Sequence, residues 1–140
     1  MATQQPQLIK LDVCMYKKDN ISFEDFARYV TEEYPPKAIP IMKKYGVVKW
    51  ATTTMPPSFR EPQREAAKQM ERHEWTVPDY DVVMSYWLRS LDHMRAMVTS
   101  PEWIELEKEA QPRANMRIGH FVIGHELIHL ENNEARDIPA

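Results

Sequence analysis

Ile118-Gly119-His120-Phe121-Val122-Ile123-Gly124-His125-Glu126-Leu127-Ile128-His129 is the stretch that decides between two folds and two chemistries. Its last five residues spell H-E-x-x-H. On a helix, the two histidines would share a face and bind zinc, with Glu126 between them as general base. On a strand, residues four apart also share a face. They then stand about 13 Å apart at a rise of ~3.3 Å per residue, too far to chelate one ion. The β-branched and aromatic residues before His125, with Gly119 and Gly124 among them, favour the strand. A catalytic zinc also needs a third protein ligand, and beyond His129 only Glu131, Glu134 and Asp137 offer carboxylates. The stretch therefore reads as a C-terminal strand, residues 118–130, and no metal is expected.

Working outward, residues 8–16 alternate with Ile9, Leu11, Val13 and Met15 on one face, a first strand. Ser22 has the position of a helix N-cap, with Asp25 three residues on. The helix that follows should end near Pro35-Pro36, and a second helical piece over 37–45 is closed by Gly46. Residues 47–54 are rich in Val, Thr and Trp and predict strand two. Pro56-Pro57 opens a charged insert over 56–76 with a short helix at 61–73. Strand three covers 81–88. Ser90 and Ser100 cap two further helices, the second with Pro101 at its first position.

The order β-α-β, insert, β-α-β predicts an α+β class: a ferredoxin-like β-α-β-β-α-β sandwich, antiparallel strands with helices on one face. The domain should span 8–131, after a disordered lead at 1–7 and before a polar tail at 132–140. Apolar residues are available for both sheet faces, so a homodimer packed sheet to sheet is expected.

Composition narrows the partners. With 43% apolar and 28% charged residues in 140, this is the balance of one soluble globular domain. A net charge of -3 gives no electrostatic case for nucleic acid or an anionic membrane. The single Cys14 fits a reducing, cytoplasmic setting, and the polar first residues do not form a signal peptide. Only three glycines are present, so a nucleotide-cradling loop is not expected.

Several motifs together resemble the EthD-domain family. They are Ile9-x-Leu11, Tyr16-Lys17-Lys18, Ile21-Ser22-x-x-Asp25-Phe26-x-x-Tyr29 and Glu33-Tyr34-Pro35-Pro36, then Tyr80-Asp81-Val82-Val83, Trp87-Leu88 and Thr99-Ser100-Pro101-Glu102-Trp103. The likeness covers roughly residues 8–130 and is nearest to small proteins of fungal aromatic polyketide pathways. It implies a dimeric α+β barrel and a cofactor-independent decarboxylase of anthraquinone-type carboxylic acids. The alternatives on the same fold are a polyketide cyclase or dehydratase, a cofactor-free oxygenase, or a non-catalytic polyketide-binding protein. Many family members carry histidine where this chain has Tyr34. A tyrosine with a reference pKa of ~10 is no base near neutrality, so Tyr34 would donate a hydrogen bond or the proton chemistry would fall to a histidine.

Loss of CO2 from an aromatic acid needs an oxyanion donor, a proton donor and an apolar pocket. His125 and His73 are the first candidates for the proton, with Tyr34 and His120 behind. His120 and His125 are five apart and so must face opposite sides of a regular strand. Tyr16, Tyr29, Asp12, Tyr86 and Trp87 are candidate substrate contacts. Asp12 has an alternative as an ion-pair partner of Lys10 or Lys49, and Tyr86 and Trp87 should divide between cavity and opposite face. The substrate is expected beneath the insert.

Overall fold

The computed structural model describes residues 7–136. The expected lead at 1–7 lies outside them except for Gln7, as do the last four residues of the tail, Asp137 among them. β1 (Leu8–Lys17), β2 (Lys49–Thr54), β3 (Val82–Leu88) and β4 (Ala114–Glu126) form one antiparallel sheet in the order β2-β3-β1-β4. This is the ferredoxin-like arrangement the element order predicts.

α1 (Phe23–Arg28) and α2 (Pro35–Lys44) connect β1 to β2, while α4 (Leu91–Val98) and α5 (Pro101–Ala110) connect β3 to β4. α3 (Arg60–Gln69) lies in the insert after a short 3-10 turn at Pro57–Phe59. All three serine caps form: Ser22 accepts from the Asp25 N–H, Ser90 from Asp92 and Ser100 from Trp103. The core between helices and sheet centres on Phe26, Val82, Leu88 and Met97, all under 2% exposed.

Several boundaries differ from the sequence reading. The first helix passes into a π-helical turn, Tyr29–Glu33, where the Tyr34 N–H donates to the Tyr29 carbonyl at 2.8 Å. Pro35 and Pro36 lack an N–H to continue the α ladder, and they begin α2 instead of ending the helical segment. β4 starts at Ala114, four residues early, and stops at Glu126, four residues short. His129 therefore lies in the loop after the strand, so H-E-x-x-H neither is a helix nor keeps its second histidine in the sheet. Finally, the described part of the tail carries a short hairpin. β5 (Leu130–Glu131) and β6 (Glu134–Ala135) pair across Asn132-Asn133, both at positive φ (54° and 63°), the geometry of a two-residue hairpin turn.

β4 also carries a bulge. Gly119 pairs with Met15 but Asn115 pairs with Tyr16, so residues 116–118 have no counterpart on β1. Gly119 sits where a side chain would be squeezed: an added Cβ would lie 3.0 Å from the Cys14 carbonyl oxygen.

Candidate active site

Residues directly opposite in an antiparallel pair share a face, so the register assigns every strand side chain. Leu11, Tyr86, Trp50 and Ile123 stand in one row toward the helices, and Val13, Met84, Thr52 and Phe121 in the next. On the other face, Lys10, Trp87, Lys49 and Gly124 form one row, and Asp12, Ser85, Ala51 and Val122 another.

A cavity of about 650 Å³ lies between the helix-side face and the helices, within the ~300–1,000 Å³ typical of small-molecule sites. Leu11, Val13 and Met84 floor it, Phe26 and Trp103 stand among its helical walls, and the bulged part of β4 forms its rim. Rim residues Met116, Ile118 and Phe121 are exposed, so the cavity opens there.

Its polar groups are few. Tyr29, Tyr34 and Tyr86 line it and are themselves buried. In a straight α-helix two residues five apart would diverge by about 140°. The widened turn brings the Tyr29 and Tyr34 rings to 6.0 Å. Trp50 packs at 5.9 Å from Tyr34 and 6.4 Å from Tyr86, completing an aromatic chain. The buried Tyr29 hydroxyl has no partner at hydrogen-bond geometry, while the Arg113 guanidinium lies over its ring at 4.3 Å. Burial pushes the Tyr34 and Tyr86 hydroxyls well above the ordinary tyrosine range, and the negative charge of Glu107 pushes both further. Burial likewise raises Tyr29, with Glu109 adding and Arg113 opposing. All three are neutral hydrogen-bond donors across the physiological range.

Glu107, on α5, is the cavity's carboxylate, and the sequence reading missed it. Its Oε1 accepts from the Trp103 indole N–H at 2.9 Å. The signal was present: Trp103, Leu106, Glu107 and Ala110 follow the i, i+3, i+4, i+7 spacing of one helix face, which makes Glu107 a charge on an apolar stripe.

The other candidates lie elsewhere. His125 pairs with Ile9 on the helix side, as the alternation required, but beyond the helical cover; it is exposed and does not line the cavity. His73 is exposed in the turn after α3, and no residue of the insert lines the cavity, so the insert does not roof it. His120 is the one histidine at the rim. It belongs to the opposite face, and its Nδ1 shares a 2.7 Å hydrogen bond with the Tyr80 hydroxyl. Tyr16 packs on Tyr80 at 5.2 Å, away from the cavity.

Asp12 accepts from the Ser85 hydroxyl at 2.5 Å and lies 3.8 Å from Lys10 Nζ, the ion pair weighed as its alternative. Tyr86 and Trp87 divide as expected. Trp87 faces away from the cavity, donates to Glu126 at 2.7 Å and lies under the ammonium groups of Lys10 and Lys49. Among the described residues no three His, Cys, Asp or Glu side chains gather as metal ligands, and no helix is long and apolar enough to cross a membrane.

The family model described as the EthD domain matches residues 18–112, which carry both helical connections and the cavity's tyrosines. The chain belongs to the EthD domain family. Within it, the chain is 24% identical over 135 residues to the dehydratase iacD of Pestalotiopsis fici, covering 96% of this chain and 97% of that one. A decarboxylase of Paecilomyces divaricatus is 25% identical over 91 residues, 65% of this chain and 59% of the other. Among solved structures, a dimeric protein of unknown function and ferredoxin-like fold from Bacteroides fragilis superposes with a TM-score of 0.52. It is 13% identical, with 86% of this EthD-domain chain and 96% of that one covered, a likeness of fold alone.

Proposed function

We propose that this EthD-domain protein is a lyase that removes water from a hydroxylated ring of an aromatic polyketide bound in the helix-side cavity. The observation that carries the reading is the lining: apolar walls and three buried tyrosines, the Tyr29 hydroxyl without a partner at hydrogen-bond geometry, around a single glutamate. Elimination next to a carbonyl passes through an enolate. Neutral donors held in a dry site stabilise that oxyanion more than the ketone before it. Tyr29, Tyr34 and Tyr86 are suited to this role, and the apolar floor suits fused rings. The dehydratase likeness supports the reading because it spans nearly the whole chain.

Decarboxylation is the second reading. It draws on the shorter decarboxylase match and on Arg117 at the rim, a cation for a substrate carboxylate. A glutamate within the cavity disfavours it, since a second carboxylate beside it is repelled. The working unit is a homodimer on this reading. The dimeric ferredoxin-like neighbour supports that, as do exposed Ile118, Phe121, Val122 and Ile123 on an edge strand. Mass spectrometry of reactions with a β-hydroxy aryl ketone and with an ortho-hydroxy aryl acid tests the chemistry. Loss of water from the first supports dehydration, and loss of carbon dioxide from the second alone replaces it with decarboxylation.

A further inference from the structure

α5 carries four glutamates, and three of them are not in the cavity. Glu102 is held by Lys44 at 2.9 Å, Glu105 by Lys108 at 3.2 Å, and Glu109 pairs with Lys37. Glu107 alone of the four both lines the cavity and receives a hydrogen bond from an indole, and it has no cationic partner among the described residues. Glu107 lines the cavity while staying exposed to solvent, so water and one neutral N–H offset the cost of its charge. That N–H comes from Trp103, itself buried and one helical turn earlier, so Oε1 is held while no hydrogen bond from a described residue engages Oε2.

We propose that Glu107 is the catalytic base and proton carrier of the elimination, tethered by Trp103 as its positioning residue. The assignment rests on the dehydration reading above. Oε2 takes the proton from the carbon between the carbonyl and the carbinol carbon. The C–H electron pair moves into an enolate whose oxygen accepts hydrogen bonds from the buried tyrosines. The enolate collapses to a carbon–carbon double bond as the C–O bond of the β-hydroxyl breaks. The departing oxygen takes the proton from Glu107 and leaves as water, which restores the carboxylate. No metal or redox partner enters this sequence, and atoms and charge balance within one turnover.

The test uses the full chain with 3-hydroxy-1-tetralone, which gives fluorescent 1-naphthol on loss of water, and with 1-hydroxy-2-naphthoic acid, which gives the same product on loss of carbon dioxide. Glu107→Gln keeps an oxygen for the Trp103 N–H but carries no base. It is expected to lower kcat on the ketone by about 10³-fold, to leave KM nearly unchanged and to stop exchange of the α-hydrogen for solvent deuterium. Trp103→Phe should lower kcat less, by about tenfold, while exchange persists. A merely structural Glu107 predicts wild-type turnover in Glu107→Gln. Wild-type ketone turnover with Glu107→Gln within threefold of it overturns the role of Glu107 and leaves the dehydration reading standing. Wild-type turnover of the naphthoic acid but not the ketone overturns both, and so does silence on both probes. Should Glu107→Gln fail to fold by circular dichroism, Glu107→Asp decides. There, loss of turnover with slow exchange retained supports the assignment, and full turnover overturns it.

Discussion

The two faces of the four-stranded sheet are built from the same strands, one residue out of step, yet they solve opposite problems. On the outer face polar groups satisfy one another: Ser85 donates to Asp12, Lys10 pairs with Asp12, and Trp87 donates to Glu126 beneath two lysines. On the helix face the strands supply mostly apolar side chains, and the polar groups the helices bring are left with spare valence, the Tyr29 hydroxyl above all. A closed network has nothing to offer a small molecule. An apolar cavity with unmet donors does. Placement of a polar group matters less here than whether the fold has already used it.

Five measurements would break or sharpen that contrast. The largest effect belongs to the helix face: Phe26→Ala, at a site 1% exposed, should cost about 3–5 kcal/mol in urea unfolding, since a buried aromatic leaves a void. A loss under ~1 kcal/mol would mean that this face is not the core. Next, Tyr34→Phe deletes one hydroxyl and no volume. Steady-state kinetics on the ketone should show kcat lower by about 10²-fold, the cost of one oxyanion donor, with the urea midpoint nearly unmoved.

Third comes alkaline pH. Tyr34 and Tyr86 titrate above the unfolded tyrosine value of ~10. Above that pH the unfolded chain sheds protons the native state retains. Stability is therefore full below about pH 10 and falls as pH rises past it, by up to ~1.4 kcal/mol per unit for each group. Tyr34→Phe should fall less steeply in urea titrations between pH 9 and pH 11; parallel slopes would refute the buried-phenol account.

Fourth, Asp12→Ala strands the buried Ser85 hydroxyl and should cost about 1–2 kcal/mol while turnover stays within twofold. A collapse of kcat would place the chemistry on the wrong face. The smallest effects belong to His125→Ala and His73→Ala, both exposed. Each should stay within ~0.5 kcal/mol and twofold in kcat, and a large loss of activity from either would move the reaction out of the cavity.

Much of this was legible from residues alone. Period-two alternation in β1 put Leu11 and Val13 inside and Asp12 outside, and odd spacing forced His120 and His125 apart. The serine caps followed from local hydrogen bonding, which needs no tertiary information. The site was harder to read. Histidine chemistry drew attention to His73 and His125, but alternation fixes a face and not the extent of its cover, and the helices do not reach His125. Glu107 was obscured among its neighbours, because four glutamates on one short helix look alike until the phase of Trp103, Leu106 and Ala110 is used. The π-helical turn has no signature beyond Pro35-Pro36, so the meeting of Tyr29 and Tyr34 could not be foreseen. Asn132-Asn133, by contrast, did announce a tight hairpin and was passed over within a polar tail.

The three supernumerary residues 116–118 separate two kinds of information in the chain. The ladder to β1 is intact on either side of them, so the gauge of the doorway is written in a segment the fold does not depend on for its alignment. Lengthening or trimming it would admit bulkier or slimmer guests while the strands remain in step. Selection can therefore retune what enters without renegotiating how the protein folds.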